Sequence, residues 1–118
     1  MFRPNGLVRL GRDLDLEDIV TCLPVIQEVL QGFRDEHAYR VAHEAMFALP
    51  IVESPLRSAL YEDAVRLYRT ARGRGFTIRS SVDCLIAACA IRANLEVLHR
   101  DRDFEILSRV SELRQRSV

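Results

Sequence analysis

Aspartates mark the ends of the most hydrophobic segments of this chain. The small-residue segment at 81–93 carries Asp83 near its start, and the short apolar run at 96–99 leads into Asp101 and Asp103. Placing a carboxylate at the edge of an apolar element is costly unless a partner neutralises it. We therefore interpret these three residues, with Glu28 in an earlier amphipathic segment, as candidate ligands of a cation.

The chemistry that such a cluster would support follows from its oxygen atoms. Converging carboxylates repel one another, and some stay protonated unless a cation neutralises them. Hard oxygen ligands suit Mg²⁺ or Mn²⁺. These ions promote phosphodiester hydrolysis by activating water and stabilising charge on the attacking and leaving oxygens. The predicted chemistry is nuclease-like.

Asp83 has a plainer interpretation beside this one. It follows Ser80 by three residues, a spacing typical of a capping box, so it could simply accept N–H bonds in a first helical turn. In favour of a site, Ala87 and Ala90 share its helical face, and these small side chains leave space beside the carboxylate.

The other acids have plain alternatives too. Glu28 sits on the flank of an apolar helical stripe and could be an ordinary surface glutamate. Asp101 and Asp103, one residue apart, could be the acidic first turn that the helix dipole favours. The two interpretations of this pair are compatible, because a helix start at a strand end is a convenient place for metal ligands.

A run of arginines precedes the Asp83 segment. Between Ala64 and Ser81 there are five, with no Asp or Glu: Arg66, Arg69, Arg72, Arg74 and Arg79. We interpret the later part of this patch, Arg72, Arg74, Arg79 and the adjoining Ser80, as a contact for nucleic-acid backbone phosphates. The alternative is a solvated helix end whose cations complement the C-terminal dipole.

Composition bounds the protein class. The chain has 118 residues, of which 48% are hydrophobic and 29% charged, with a formal net charge of zero. This predicts one globular domain over 1–118 and argues against nucleic-acid binding through overall charge alone. Its three cysteines lie in apolar contexts without paired spacing, which predicts core thiols rather than a zinc site.

The sequence shows neither a membrane-spanning segment nor a secretory signal. No stretch approaches the roughly 20 apolar residues that a membrane span needs. The first ten residues have neither a long apolar region nor a cleavage-site pattern, so they do not read as a secretory signal. We expect a cytoplasmic protein.

Hydrophobic periodicity predicts alternating strands and helices. The predicted elements are a strand at 18–23, helices at 24–33 and 35–49, a very short strand near 50–53, helices at 55–72 and 81–93, a strand at 96–100, a helix at 103–109 and an edge strand in the tail. Ser54 and Pro55 are the expected start of the third helix, and Gly73 and Gly75 its end. This order is typical of an α/β fold with a parallel sheet, whose sites form at the carboxyl ends of the strands.

Around "TIRSSVDCLIAACAIRANLEVLHRDRDF" the chain resembles the PIN-domain family, in particular VapC-type toxins of bacterial toxin–antitoxin pairs. The resemblance covers about 18–110, and its most specific parts are "DCLIAACA" and "VLHRDRDF". The segment "PVIQEVLQGF" fits the family's helix that bears an acidic residue.

The resemblance implies a three-layer α/β/α sandwich with a parallel sheet and an acidic site for Mg²⁺ or Mn²⁺. It implies endonucleolytic cleavage of RNA, restrained by a cognate antitoxin, with a homodimer as the expected assembly. By motif, the catalytic and metal-binding acids correspond to Glu28, Asp83, Asp101 and Asp103. Ser80 or Ser81 lies where family members often place a small hydroxyl.

The start of the chain departs from the family pattern. Family members usually begin with a strand that ends in aspartate, and residues 1–17 offer no such strand; Asp13, Asp15 and Asp18 are poor substitutes. We therefore expect an N-terminally incomplete domain with weakened metal binding. A start downstream of the true one, a degenerate toxin, and completion by another subunit are the competing explanations.

Two other functions compete with a VapC-type ribonuclease. One is a catalytically degenerate module that keeps the fold and binds an antitoxin or RNA without cleaving. The other is an unrelated α/β domain whose acids only cap helices. The amphipathic helices at 35–49 and 55–72 could also supply a partner groove or a dimer face, or simply form core.

Overall fold

The computed structural model describes residues 19–118. Within this range the chain folds into strands and helices in the order β1 (Thr21–Cys22), α1 (Leu23–Gln31), α2 (Glu36–Phe47), β2 (Ile51–Val52), α3 (Ser58–Gly73), α4 (Ser81–Ala93), β3 (Glu96–His99), α5 (Arg102–Arg109) and β4 (Arg114–Ser117).

The strands of this part of the chain pair in parallel. Strand β1 pairs with β2, with Thr21 opposite Ile51, and β3 pairs with β4, with Glu96 opposite Arg114. Among residues 19–118 the two pairs form separate two-stranded sheets. The crossover from β1 to β2 contains α1 and α2, and that from β3 to β4 contains α5. The predicted α/β class with parallel strands is confirmed.

Helix α4 is the central element of the core. It contacts α1, α3, α5 and β3. Seven of its 13 residues are buried, and they include Ile86 and the small residues Ala87, Ala88 and Ala90. A helix that is apolar on most sides must be surrounded by other elements, and its alanines let those neighbours approach closely.

The N-terminal helices pack unequally. Helix α1 has a proline in its first turn and buries Val25, Ile26 and Val29. Helix α2 begins at the N-cap Asp35, whose side chain accepts the Ala38 N–H, but it buries only Met46. The apolar stripe predicted at 35–49 is therefore only partly core.

The start of α3 differs from the prediction. The helix begins at Ser58 with Arg57 as N-cap, three residues beyond Pro55, and the Ser54–Pro55 peptide bond is cis. A proline in a turn before a helix gives the same sequence signal as a proline in the first helical turn. The end was predicted correctly: α3 ends at Gly73, and Gly75 has the positive φ of 85° that glycine adopts readily.

Helix α5 closes the core beside β3. Its apolar face buries Phe104, Ile106 and Leu107, and the Phe104 ring lies 5.1 Å from the His99 ring between centroids. The three cysteine thiols also lie in the core, as composition predicted. No helix in the described part of the chain combines the length and apolarity that crossing a membrane requires.

We expect Phe104→Ala to lower the free energy of unfolding by about 3–5 kcal/mol, because it removes a fully buried ring and leaves a cavity. Phe33→Ala is the matched control; its ring is 40% exposed, so the change should stay within about 0.5 kcal/mol. Urea unfolding of both variants measures the difference, and equal losses would contradict this account of the core.

Candidate metal centre

Two helix N-termini carry the three predicted aspartates. Asp83 lies in the first turn of α4. Asp101 is the N-cap of α5, immediately after β3, and Asp103 lies in the first turn of α5. The N-terminal end of a helix carries partial positive charge and exposed N–H groups, so both helices favour carboxylates at these positions.

The structure brings these side chains together. Asp83, Asp101 and Asp103 each offer one carboxylate oxygen, and these three oxygens lie within 4.8 Å of one another. Asp83 and Asp103 are fully buried, and Asp101 is half-buried. Oxygens bound to Mg²⁺ at about 2.1 Å are about 3.0 Å apart when adjacent and about 4.2 Å apart when opposed. The three carboxylates are therefore near enough to share one divalent cation when they close around it.

Asp103 is anchored to the segment before α4. The Arg79 N–H is shared between both its carboxylate oxygens at 3.1 Å, and the Ser80 N–H donates to Oδ2 at 3.0 Å. Hydrogen bonds to a charged acceptor are stronger than neutral ones. Asp103 thus ties the N-terminus of α5 to that of α4, and this connection sets Asp83 and Asp101 side by side.

Asp101 is held through both its side chain and its backbone. Its Oδ1 accepts the Asp103 N–H at 3.0 Å, which is the helix cap expected of an N-cap aspartate. Its own N–H donates to Nδ1 of His99 at 3.0 Å. The plainer interpretation of Asp101 as a cap is therefore correct, and it coexists with membership of the cluster.

His99 was missed in the sequence. It is almost fully buried at the end of β3, and its Nε2 is hydrogen-bonded to Oε1 of Gln115 on β4. The signal that could have found it is a histidine inside an apolar strand, two residues before a candidate ligand.

The electrostatics of the cluster extend to a neighbouring thiol. The pKa of Cys84 is raised to about 11. Burial is the main cause, and the negative charges of Asp83 and Asp103 contribute to the same shift. Because this pKa lies above physiological pH, Cys84 carries a neutral thiol beside the acids.

Glu28 occupies a different position. Among residues 19–118, the acids whose carboxylate oxygens lie within 4.8 Å of one another are Asp83, Asp101 and Asp103, and Glu28 is not one of them. It lies on α1, which contacts α4, and its Oε1 is withdrawn from solvent. The residue as a whole is half-buried rather than an exposed surface glutamate.

The capping box proposed as the plain alternative for Asp83 is not formed. Ser80 is the N-cap of α4, but its side chain makes no capping hydrogen bond. Its backbone N–H instead reaches Asp103. Ser80 therefore acts at the cluster through its main chain.

The arginines of the run have different surroundings in the structure. The backbone of Arg79 borders the cluster, and its side chain is exposed. Arg74 donates to the Arg109 carbonyl at 3.3 Å, and Arg66 pairs with Asp63 at 3.2 Å. Arg72 is exposed in the last turn of α3, where the dipole favours a cation.

The remaining sequence predictions concern the start of the chain. Asp13, Asp15 and Asp18, and the atypical segment 1–17, lie outside the residues that the structure describes.

Comparison with known proteins identifies the family. The PIN domain family matches residues 6–110, and the chain belongs to this family. It is 36% identical over 100 residues to VapC ribonuclease Mb1587 of Mycobacterium bovis, a match that covers 84% of this chain and 73% of the relative.

Two solved structures share the fold at 21% sequence identity. One is a member of the VapBC family of toxin–antitoxin systems, VapBC-5, from Mycobacterium tuberculosis, with a TM-score of 0.67 over 84% of this chain and 81% of that one. The other is FitAB bound to an IR36 DNA fragment, with a TM-score of 0.63 over 88% and 76%. The predicted family resemblance is confirmed.

We expect Asp103→Ala to lower the free energy of unfolding by about 2 kcal/mol in chelator-treated protein. It removes the acceptor of two backbone N–H groups, at about 1.5–3 kcal/mol each, and this loss is partly offset by relief of carboxylate repulsion. Asp63→Ala, which breaks partly exposed ion pairs with Arg66 and Arg92, should cost less than about 1 kcal/mol. Urea unfolding compares the two, and an Asp103→Ala variant as stable as wild type would contradict the anchoring role.

Proposed function

We propose that this protein is a metal-dependent endoribonuclease and the toxin component of a VapBC-type toxin–antitoxin pair. The observation that carries the proposal is the convergence of Asp83, Asp101 and Asp103 within 4.8 Å at the N-termini of α4 and α5. Membership of the PIN-domain family and similarity to a VapC ribonuclease support it.

The cofactor is Mg²⁺ or Mn²⁺. Asp83 and Asp101 hold it directly, and Asp103 contributes through lone pairs that remain beside its backbone bonds. Glu28, on the helix α1 that packs against α4, would be a further acid for the site. When bound, the ion supplies a more acidic water and a positive charge for the phosphate oxygens.

The remaining roles fall to side chains at the rim. Arg79 is exposed and adjoins Asp103, so it holds the phosphate of the scissile bond next to the acids. Arg72 and Arg74, with Ser80, contact neighbouring phosphates of the RNA. The carboxylates orient the attacking water and accept its proton.

Asp83→Asn and Asp101→Asn should each lower the rate of RNA cleavage by about 100-fold or more, because each removes a ligand charge from the site. Asp63→Asn is the matched control, because Asp63 pairs with Arg92 in the last turn of α4, at the other end of that helix from Asp83, and it should cleave at the wild-type rate. Cleavage of an RNA pool with Mg²⁺ or Mn²⁺, read by fragment analysis, measures all three. Undiminished cleavage by Asp83→Asn would sink the proposal.

An antitoxin is the proposed protein partner. The structurally similar VapBC-5 belongs to the VapBC family of toxin–antitoxin systems. The competing function is a module that binds an antitoxin or RNA without cleaving; the commitment of both Asp103 oxygens to backbone N–H groups favours it. The ribonuclease is supported if the wild type cleaves RNA and Asp83→Asn does not, while both still bind the antitoxin. Antitoxin binding without cleavage by either decides for the module.

We also propose a homodimer through the outer face of α3. Tyr61 and Val65 are 49% and 59% exposed and lie one turn apart. Glu62 and Arg69 flank Val65, so two copies of α3 related by a two-fold axis would place opposite charges together.

Val65→Glu should convert the dimer to a monomer at micromolar concentration, because it places like charges in an apolar contact. Val41→Glu, which changes an equally exposed valine on α2, should leave the dimer intact. Sedimentation equilibrium measures both masses, and a monomeric wild type would refute this assembly.

A further inference from the structure

A line of hydrogen bonds runs from β4 through β3 to the backbone of a proposed metal ligand. Gln115 is bonded to Nε2 of His99, and Nδ1 of His99 accepts the N–H of Asp101 at 3.0 Å. Neither Gln115 nor His99 is among the acidic or arginine residues assigned to the site above.

These bonds define the tautomer of the neutral ring. A backbone N–H can only donate, so Nδ1 must present its lone pair to Asp101. In the neutral ring the proton then resides on Nε2, which donates it to the Oε1 of Gln115. Each ring nitrogen therefore has a distinct role.

The surroundings leave the ring little freedom. His99 is 1% exposed, and the Phe104 ring packs against it at 5.1 Å. The carbonyl of His99 accepts the N–H of Val118 at 3.0 Å, which extends the β3–β4 ladder past the strand ends. The ring is thus fixed by packing and by bonds at both nitrogens.

We propose that His99 is a positioning residue that sets the backbone of Asp101, with Gln115 supporting its tautomer by accepting the Nε2 proton. The inference rests on the proposed function, because it takes Asp101 as a ligand of the cation. Partners one bond removed from a ligand typically change metal affinity by about 10–100-fold when they are lost. His99 itself contacts neither the metal nor RNA in this scheme.

Two substitutions at His99 distinguish the roles of its two ring nitrogens. His99→Asn keeps an acceptor oxygen where Nδ1 stands, since an Asn side chain readily accepts the N–H two residues on in an Asx turn. His99→Gln instead keeps a polar group near Nε2 and loses the acceptor. A purely structural role for His99 predicts similar behaviour from both, because each removes the ring.

Two readouts follow the variants without any cleavage assay. Amide hydrogen exchange at Asp101 should be fast in His99→Gln and slow in wild type and His99→Asn, because only the latter two keep the Nδ1-like acceptor. The Kd for Mn²⁺, measured by calorimetry, should rise about 10-fold or more in His99→Gln. His99→Asn should bind Mn²⁺ more tightly than His99→Gln.

Ring nitrogen NMR adds a direct test on the unaltered protein. Wild-type His99 should show a protonated Nε2 and an unprotonated Nδ1. Gln115→Leu should weaken this tautomer preference, because only the Asp101 N–H then favours it, whereas Ser117→Ala, an exposed change on the same strand, should leave it unchanged.

Equal Mn²⁺ affinity in wild type, His99→Asn and His99→Gln would overturn the positioning role, as would a protonated Nδ1 in wild type. Wild type that binds no Mn²⁺ would instead refute the proposed function, and the exchange and tautomer data would still report on the bonds of His99. The two failures are therefore distinguishable.

Discussion

Three carboxylates share a space less than 5 Å across, and two of them are fully buried. Mutual repulsion and the loss of hydration both oppose such an arrangement. The chain compensates by directing the N-termini of α4 and α5 at the same place and by giving Asp103 two backbone N–H donors. Negative charge concentrated in so small a space is the property that attracts a divalent cation.

The rest of the structure keeps those two helix ends in place. Helix α4 is surrounded by α1, α3, α5 and β3, and its alanines allow that close packing. The bonds from Asp103 to the segment before α4 join the two ends directly. On the other side, β4 supports β3, and Gln115 reaches through His99 to the backbone of Asp101. The core and the site are thus parts of one hydrogen-bonded and packed unit, so changes at the site carry a cost in stability.

Local patterns in the sequence predicted most of the helices, because apolar periodicity and caps act within a few residues. Helix α4 matches its predicted bounds, and the parallel pairing of β3 with β4 followed from the strand–helix–strand order. The start of α3 could not be predicted, since the sequence around Pro55 does not distinguish a cis bond in a turn from a first helical turn.

Some residues of the site could likewise be predicted from the sequence, and others could not. The three aspartates could be named because each sits at the edge of an apolar element and matches a family motif. The hydrogen-bond partners around the site could not be predicted, because no local pattern encodes them. The bond from Arg79 to Asp103 spans 24 residues, and that from His99 to Gln115 spans 16. Glu28 lies on a helix whose distance from the cluster depends on tertiary packing of α1 against α4, which the motif alone did not define.

The most direct measurement of the central claim is the anomalous diffraction of Mn²⁺ in crystals of the protein grown with saturating metal. The account predicts a single strong peak within coordination distance of Asp83 and Asp101, at about 2.2 Å from their oxygens. A peak bound elsewhere, or none between these carboxylates at saturating Mn²⁺, would contradict it.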